Sequence, residues 1–360
     1  MTDTDLKQRI VTDNAMPQAK VQSQKVQRLH QLDDIRAIAM FMVVCIHALA
    51  YTHQLNEPLF TLIKYLVHTV PVPVFFFADG FLFAWIYKHR KFFYRDYLVK
   101  SYKRLIVPWL IFSAFYAVLR YGMEYYHILP DRILVGHSAH AVIIAIYGSL
   151  IAAQLYFLLS LFLIRLLSIF TCRLITTKSG ITIVFVFLVC VFLYQSIEGQ
   201  LGELLSIKGG TDPVLHAIWG LQYYCFGIVM ERYYNRVCNR AALFSCLSFA
   251  AMLMLLFFRN MAVGCILMPY CYLTGLFTLI LAVSEKKNVL SFIGRNTMGI
   301  YLLHNPVVLK GLSFIIPGLI RNPLMAYGTM ATVAFTISLA AAIILVKIPY
   351  GKVLFGETGW

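Results

Sequence analysis

The stretch LDDIRAIAMFMVVCIHALAY, residues 32–51, decides the fold. It is apolar enough to enter a bilayer, yet it carries Arg36 near one end and His47 deeper within. A basic side chain at the centre of a membrane helix costs about 2.5–3.5 kcal/mol, and ionisable residues in such helices usually have a function or a partner. The stretch therefore indicates a membrane helix that also carries part of a buried polar site.

Composition indicates an integral membrane protein with little mass outside the bilayer. The chain has 360 residues, of which 60% are apolar and 13% charged, and its mean hydropathy is +0.74. Soluble domains are about 45–50% apolar and about 25% charged. The net charge of +15 is typical of a membrane protein whose basic residues collect on cytoplasmic loops and set its orientation. We therefore expect the lipid bilayer, and no nucleic acid, as a partner.

Ten ranges of the sequence are apolar over about the length that crosses a bilayer. They are 35–53, 62–86, 105–122, 152–170, 181–195, 214–230, 242–259, 262–282, 297–317 and 325–347. Apolar sequence runs from 139 to 169, which is too long for one span and short for two, so we expect 140–150 to form an amphipathic piece on the outer surface. The prediction is an all-α, polytopic membrane helix bundle of about ten transmembrane helices.

The distribution of basic residues predicts that both termini are cytoplasmic. With the N-terminus inside, 23 of the 31 Lys and Arg residues lie on cytoplasmic segments and seven on outer loops and outer span ends. Such a bias fixes orientation. The expected organisation is a mostly disordered cytoplasmic tail over 1–31, a ten-helix membrane domain over 32–348 and a second cytoplasmic tail over 349–360. No repeat is strong enough to indicate the inverted halves of many transporters.

The spacing of Arg36 and His47 suggests a site for an elongated anionic ligand. Eleven residues of helix place the two side chains on nearly one face, roughly 16 Å apart along the axis. An anionic end could be held by Arg36 at the cytoplasmic rim, with the reactive end deep beside an imidazole that exchanges protons near neutral pH. The alternatives are that Arg36 is an interfacial anchor paired with Asp33 and that His47 makes a hydrogen bond between helices.

Three further segments carry polar residues in apolar surroundings. In VPVPVFFFADGFLF the carboxylate of Asp79 needs a partner, for which His47 and Arg36 are candidates, although a purely structural ion pair is also open. The loop KHRKFFYRDYLVKSYKRLIVPW could anchor the topology or bind a polyanion, since clustered Lys and Arg bind phosphates. FIGRNTMGIYLLHNPVV places Tyr301 and His304 one turn apart on the ninth span. The eight cysteines form no CxxC pair or Cys/His metal spacing, so no metal is expected.

In order along the chain, five stretches resemble the acyltransferase 3 family of membrane acyltransferases. LDDIRAIAMFMVVCIHA resembles the family's LDxLRGxAxxxVVxxHA, and VFFFADGFLF resembles FFFxSGFxL. KRLIVP resembles the RLxxP segment, QLYFLLSLFLIRLL resembles HLWFLxxLFxxxLL, and FIGRNTMGIYLLHNPVV resembles IGxxSxxIYLLHxPV. The chain departs from these motifs in that Ala37 replaces a Gly, Asp79 a Ser, Gln154 a His and Tyr156 a Trp. The family's paired arginines are also blurred, because Ser101 lies three residues before Arg104.

The resemblance implies an enzyme that takes an acyl group, often acetyl, from cytoplasmic acyl-CoA. It passes that group to a hydroxyl on an extracytoplasmic glycan, lipid-linked sugar or envelope component. The resemblance also implies a multi-pass protein of the bacterial cytoplasmic (inner) membrane, with glycan-assembly proteins as partners. Carried over to this sequence, the resemblance implicates Arg36 and His47 as the essential pair, Arg104 in the basic motif, and Tyr301 and His304 in the final motif as residues that bind the donor.

Our hypothesis from the sequence is an acyl-CoA-dependent O-acyltransferase. Lys100, Lys103 and Arg104 would hold the nucleotide phosphates, and Arg36 would meet the phosphopantetheine. His47 would act as a general base or be acylated itself, with Asp79 orienting its imidazole. Two other functions stay open: a proton-coupled transporter or flippase of a glycan intermediate, with His47 and His304 in a proton relay, and a scaffold or sensor without catalysis.

Overall fold

The computed structural model describes residues 28–51, 57–88, 90–129, 131–177, 179–205, 212–258, 261–284 and 286–356. These residues form helices and connecting turns, with no β-strand among them. The all-α prediction is therefore confirmed for the described chain. Almost all of the predicted N-terminal tail, residues 1–27, lies outside the described residues, as do residues 357–360.

Nineteen helices follow one another along the described ranges. They are α1 (His30–Leu49), α2 (Glu57–Thr69), α3 (Pro71–Tyr87), α4 (Tyr94–Ser101), α5 (Val107–Tyr125), α6 (Ala139–Tyr147), α7 (Tyr156–Leu166), α8 (Ser168–Thr176), α9 (Gly180–Leu205), α10 (Pro213–Arg232), α11 (Tyr234–Cys238), α12 (Ala241–Leu256), α13 (Ala262–Val283), α14 (Val289–Arg295), α15 (Thr297–Leu303), α16 (Leu309–Ser313), α17 (Ile316–Leu319), α18 (Pro323–Leu345) and α19 (Gly351–Leu354). A π-helical turn, Tyr102–Ile106, joins α4 to α5, and the kinked segment His304–Val308 joins α15 to α16.

Most described residues of each of the ten predicted apolar ranges are helical, with turns or bends at 50–51, 70, 152, 167, 257–258, 314–315 and 346–347. Five helical stretches of the described chain are long and apolar enough to cross a membrane: Pro58–Tyr87, Tyr94–Tyr125, Val263–Val283, Thr297–Leu319 and Pro323–Leu345. A sixth, Ala153–Leu166 with Ser168–Thr176, is bent by 57°. The protein is thus a helical integral membrane protein, whereas the count of ten crossings and the cytoplasmic placement of both termini stay predictions.

Several helices are interrupted where the sequence carries proline. Val70 separates α2 from α3, and Pro71 occupies the first position of α3, where its missing N–H is not needed. Non-helical backbone at Asn305, just before Pro306, breaks the ninth predicted span after α15. Broken helices occur at membrane depth where they are buried in protein or line a cavity. The break after α15 lies next to the candidate site described below.

Glycines permit the closest helix contacts in the bundle. A Cβ atom on Gly80 of α3 would lie 2.0 Å from the backbone oxygen of Tyr224 on α10, and one on Gly227 of α10 would lie 2.2 Å from the backbone oxygen of Phe77. These two helices form the most extensive helix pair of the structure. A Cβ on Gly294 of α14 would lie 1.9 Å from the backbone oxygen of Asp33 on α1. Small residues at such contacts let membrane helices approach each other closely.

Helix α1 lies at the centre of the bundle and contacts α2, α3, α13, α14, α15 and α18. A buried carboxylate ties its first turn to the segment before α14. Asp34 accepts hydrogen bonds from the hydroxyl of Ser284, the amide nitrogen of Asn288 (3.2 Å) and the hydroxyl of Ser291 (2.5 Å). These bonds fasten the start of α1 to the segment that leads into the ninth predicted span.

The described part of the predicted C-terminal tail packs against the bundle. Phe355 is buried at 2% exposure. Gly356 has φ +65°, and a Cβ there would lie 2.4 Å from the backbone oxygen of Arg104. The chain after α18 therefore reaches the basic segment between α4 and α5. At the other predicted surface piece, α6 begins at Ser138, whose hydroxyl accepts a hydrogen bond from the backbone N–H of Ala141.

Candidate active site

The structure brings the two histidines predicted from the sequence together. His47 lies on α1 and His304 directly follows α15, and their ring centroids are 5.2 Å apart with the planes at 54°. The Nδ1 atom of His304 is 3.0 Å from the backbone oxygen of Ile300. Because a carbonyl oxygen only accepts hydrogen bonds, Nδ1 carries the proton in the neutral ring. The Nε2 lone pair of His304 is buried with no hydrogen-bond partner among the described residues.

The two imidazoles differ in accessibility. His304 is completely buried, with 0% exposure. His47 keeps a partly accessible surface although it lies deep inside the bundle. Of the two rings, His47 therefore has surface left for a reactant, whereas His304 lies behind it and contacts its ring. An imidazole in such a position can exchange a proton with a bound hydroxyl or thiol.

A network of uncharged polar groups holds the turn that follows His304. The Gln154 side chain donates to the backbone oxygen of Asn305, and the Asn305 amide donates back to Oε1 of Gln154 over 3.2 Å. The Tyr51 hydroxyl donates to Oδ1 of Asn305 over 3.2 Å, and the Tyr301 hydroxyl donates to the backbone oxygen of Gln154. These bonds satisfy polar groups exposed by the helix break, since buried polar groups need partners.

Tyr301 and His304 belong to the layer that contains His47. The ring of Tyr301 lies 6.3 Å from that of His304 and 5.9 Å from that of Phe157. The sequence predicted both residues to bind the donor. The structure places them beside the imidazole of His47, where they support the polar layer. Gln154, which stands where the family motif has His, connects the start of the fourth predicted span to this layer.

The structure gives Asp79 a different partner from the one expected. Nε of Arg165 lies 2.9 Å from Oδ2 of Asp79, and Nη2 of the same guanidinium donates to Oδ1. Both residues are 8% exposed. Asp79 is thus paired with Arg165 rather than with the expected His47 or Arg36, and its role in orienting the imidazole of His47 stays a prediction. The planar guanidinium on α7 matches a carboxylate with two parallel hydrogen bonds, which corresponds to the structural ion pair left open above.

Arg36 lies close to that pair but makes only weak contacts of its own. Its Nη2 is 3.4 Å from the backbone oxygen of Ala78, and its Nη1 is 3.9 Å from Oδ1 of Asp33. The predicted pairing with Asp33 is present, but Asp33 is bound more closely by Arg28, at 2.8 Å. The side chain of Arg36 is 16% exposed. Its guanidinium therefore keeps hydrogen-bonding capacity for a further anion.

The predicted basic segment lies at the same end of α1 as Arg36. Lys100 is in the last turn of α4, Lys103 and Arg104 are in the π-helical turn, and all three are exposed. Asp79 interacts electrostatically with Arg165, Arg36 and Arg104. Three arginines thus surround one aspartate at this end, a composition suited to binding phosphate groups.

Arg165 was not singled out from the sequence, although a signal is visible in retrospect. It is the single charged residue of QLYFLLSLFLIRLL, residues 154–167. Arg165 is one of the 23 Lys and Arg residues assigned to cytoplasmic segments, so its position is also explained by the positive-inside bias. Its position one turn inside an otherwise apolar segment is the feature that could have identified it, because a charge in such a place needs a partner.

Apolar side chains pack between the two ends of the site. Arg36 and His47 lie on one continuous helix, α1, as the spacing predicted. Met40 and Val43 fall between them on the same face, and they are 0% and 6% exposed. In this conformation the arginine cluster and the histidine pair are therefore separated by packed side chains. The described residues contain no group of three or more His, Cys, Asp or Glu that could hold a metal ion.

Comparison with known protein families identifies the class of protein. The sequence profile of the acyltransferase 3 family, described as an acyltransferase domain, matches residues 29–347. The match covers nearly all of the chain, so the chain belongs to this family and the resemblance found in the sequence is confirmed. The protein is a membrane acyltransferase. Searches of curated proteins and of solved structures gave no match.

Proposed function

We propose that the protein is an acyl-CoA-dependent O-acyltransferase that transfers an acyl group, in the first place acetyl, to a hydroxyl of an extracytoplasmic glycan, lipid-linked sugar or envelope component. The observation that carries this proposal is the paired imidazoles of His47 and His304, one accessible and one with a buried, unpartnered Nε2. The arginine cluster at the other end of α1 supplies a matching site for an anionic donor.

The acyl-CoA donor binds with its nucleotide at the arginine cluster and its thioester beside the histidine pair. Arg104, with Lys100 and Lys103, holds the nucleotide phosphates, and Arg36 contacts the anionic part of the phosphopantetheine. The pantetheine arm follows α1 towards His47. Since Met40 and Val43 are packed along this line, their side chains have to move when the donor is bound.

The chemistry falls to His47. Its imidazole takes the proton of the acceptor hydroxyl while the hydroxyl oxygen attacks the thioester carbonyl. A C–O bond forms, the C–S bond breaks, and the departing thiolate takes up the proton. Alternatively, His47 attacks the thioester first and passes the acyl group on from its own ring. In both routes His304 offers its Nε2 as a second proton acceptor and holds the ring of His47 in place.

The cellular setting follows from the same proposal. The enzyme works in the bacterial cytoplasmic membrane as a multi-pass protein, with acyl-CoA arriving from the cytoplasm and the acceptor from the other side. Its partners are the lipid bilayer, the acceptor and, where the product enters a larger polymer, glycan-assembly proteins. The positive-inside count supports this placement of the donor end.

The substitution His47→Ala tests the proposal. Purified protein in proteoliposomes is given radiolabelled acetyl-CoA, and labelled glycan is counted with envelope extracts as acceptor. We expect transfer to fall by at least roughly 10²–10⁴-fold in the variant, the range associated with loss of a general base. His140→Ala, which changes an exposed histidine of α6, is the matched control and should retain wild-type transfer.

Full transfer by the His47→Ala variant would contradict the proposal. Translocation of a glycan lipid that depends on a proton gradient and proceeds without acetyl-CoA would favour the transporter, in which the adjacent histidines form a proton relay. If wild-type protein shows neither acyl transfer nor translocation, a scaffold without catalysis would be favoured.

A further inference from the structure

A buried ion pair lies beside the proposed donor-binding arginines. Arg165 of α7 holds both carboxylate oxygens of Asp79 on α3, at 2.9 Å for the Nε–Oδ2 contact. Its remaining Nη1 atom is 3.4 Å from the hydroxyl of Ser101, which itself donates to the backbone oxygen of Tyr97 over 2.8 Å. The guanidinium also lies over the ring of Tyr97, 5.8 Å from its centroid. Each nitrogen of the Arg165 guanidinium therefore has a contact within the protein, which leaves the side chain little capacity for a ligand.

Arg36 makes longer and fewer polar contacts than Arg165. It is in contact with the backbone oxygen of Ala78, the residue next to Asp79, yet it makes no close ion pair with that carboxylate. Its electrostatic partners include both Asp79 and Arg165. Arg28, Arg36, Arg104 and Arg165 together with Asp33 and Asp79 make four guanidiniums and two carboxylates, a local net charge of +2.

We propose that Arg165 is a positioning residue that occupies Asp79 and thereby keeps Arg36 available for the phosphate groups of the acyl donor. This inference rests on the proposed function. Without Arg165, the carboxylate of Asp79 would be left buried and unpaired, and Arg36, which already contacts the backbone of the adjacent Ala78, is in place to neutralise it. An Arg36 bound to Asp79 would no longer bind phosphate, and the carboxylate would repel the donor.

The proposal predicts that substitutions of the two partners change the affinity for coenzyme A in opposite directions. Arg165→Gln lowers the local charge and exposes Arg36 to capture, so affinity for coenzyme A should fall roughly tenfold, as expected for one charge within several ångströms at an effective dielectric near 20 and partial screening. Asp79→Asn removes the competing carboxylate, so affinity should rise severalfold. The double variant restores the charge of +2 and should bind within about threefold of wild type.

Coenzyme A itself is the probe, and its binding to the full-length protein in detergent is measured by calorimetry. Pantetheine, which lacks the phosphates and the nucleotide, is the uncharged reference. The changes should appear for coenzyme A and be much smaller for pantetheine, whereas a general disturbance of the fold would weaken both. Arg173→Gln, which makes the same chemical change at an exposed arginine of α8, is the matched control and should bind coenzyme A as wild type does.

Thermal unfolding of each variant separates binding from folding. Breaking a buried pair on one side only is strongly destabilising. Arg165→Gln and Asp79→Asn each break the pair on one side, so either single variant can be destabilised. If one of them does not fold, the double variant, which leaves neither charge unpaired, still tests the inference through its expected near-wild-type binding of coenzyme A. Unchanged or weaker binding of coenzyme A by folded Asp79→Asn overturns the inference. Failure of wild-type protein to bind coenzyme A overturns the proposed function and the inference with it.

Discussion

At the residue scale, His304 shows how one side chain can combine a structural and a chemical task. Its Nδ1 proton is held by the backbone oxygen of Ile300, one turn earlier on α15, over 3.0 Å. Its Nε2 remains without a partner in the described structure, and its ring lies 5.2 Å from that of His47. The first contact keeps the ring in place, and the second leaves a base beside the reactive imidazole.

The substitution His304→Asn separates these two tasks. The Asn amide nitrogen stands near the position of Nδ1, so it can still donate to Ile300, but it supplies no group at the position of Nε2. We expect the thermal midpoint to stay close to wild type while acyl transfer falls roughly 10²-fold. Transfer rates and unfolding curves of the purified variant check both parts. A variant with wild-type transfer would show that His304 only supports the fold.

Sequence reasoning at this scale succeeded along a helix and failed between helices. Arg36 and His47 lie on one helix, where spacing fixes both distance and direction. The partner of Asp79 depends instead on which helix packs beside α3, and one sequence without tertiary contacts leaves several basic residues open. The true partner, Arg165, lies 86 positions away along the chain. Its bidentate geometry could be recognised only once α3 and α7 were placed together.

At the scale of elements, the contact between α3 and α10 determines where Asp79 sits. Gly80 directly follows Asp79, and its Cα faces the backbone of Tyr224 so closely that no side chain fits. A tight contact of this kind sets the depth of the carboxylate relative to α7. The position of the ion pair therefore depends on a glycine whose lack of a side chain lets α3 approach α10.

Gly80→Ala should separate these helices. The added Cβ would meet the backbone oxygen of Tyr224 at 2.0 Å, and we expect destabilisation of at least about 1–3 kcal/mol, as for other overpacked cores. Gly122→Ala is the matched control: it lies in α5 with nothing within 4 Å of the added Cβ, and alanine favours helix over glycine. Unfolding midpoints in detergent measure both. Equal midpoints for the two variants would show that α3 and α10 can move apart at little cost.

Breaks within elements were partly predictable. Pro71 and Pro306 indicate the interruptions before α3 and after α15, because proline has no backbone N–H to donate to a helical hydrogen bond. The helices α7 and α8 meet at Leu167 at an angle of 57°, and no proline or glycine lies at this junction. The only indication in the sequence is the apolar run over 139–169, which is too long for one span and short for two. Hydrophobic periodicity carries no information on how two consecutive helices pack, so it could not give this bend.

At the scale of the whole molecule, the proposed reaction joins two ends of one central helix. The arginine cluster and the histidine pair are both accessible in part, while Met40 and Val43 between them are buried at 0% and 6% exposure. Family, helical class and the two ends of the site could be predicted from sequence. The packed stretch between them could not, because burial of an apolar residue on α1 depends on every helix that contacts it.

Changes of size at Val43 test whether the donor arm passes along this face. Val43→Phe should reduce acyl transfer roughly 10–100-fold, because a small misplacement of the reacting group has effects of this order, while coenzyme A still binds at the arginine cluster. Val43→Ala, which makes room, should raise the rate or leave it unchanged. Val118→Phe places the same ring on α5 at a residue that is 75% exposed, and it should transfer as wild type does. Steady-state rates, coenzyme A binding and unfolding midpoints are measured for all three. Equal rates for Val43→Phe and Val118→Phe would mean that the thioester reaches His47 by another route through the bundle.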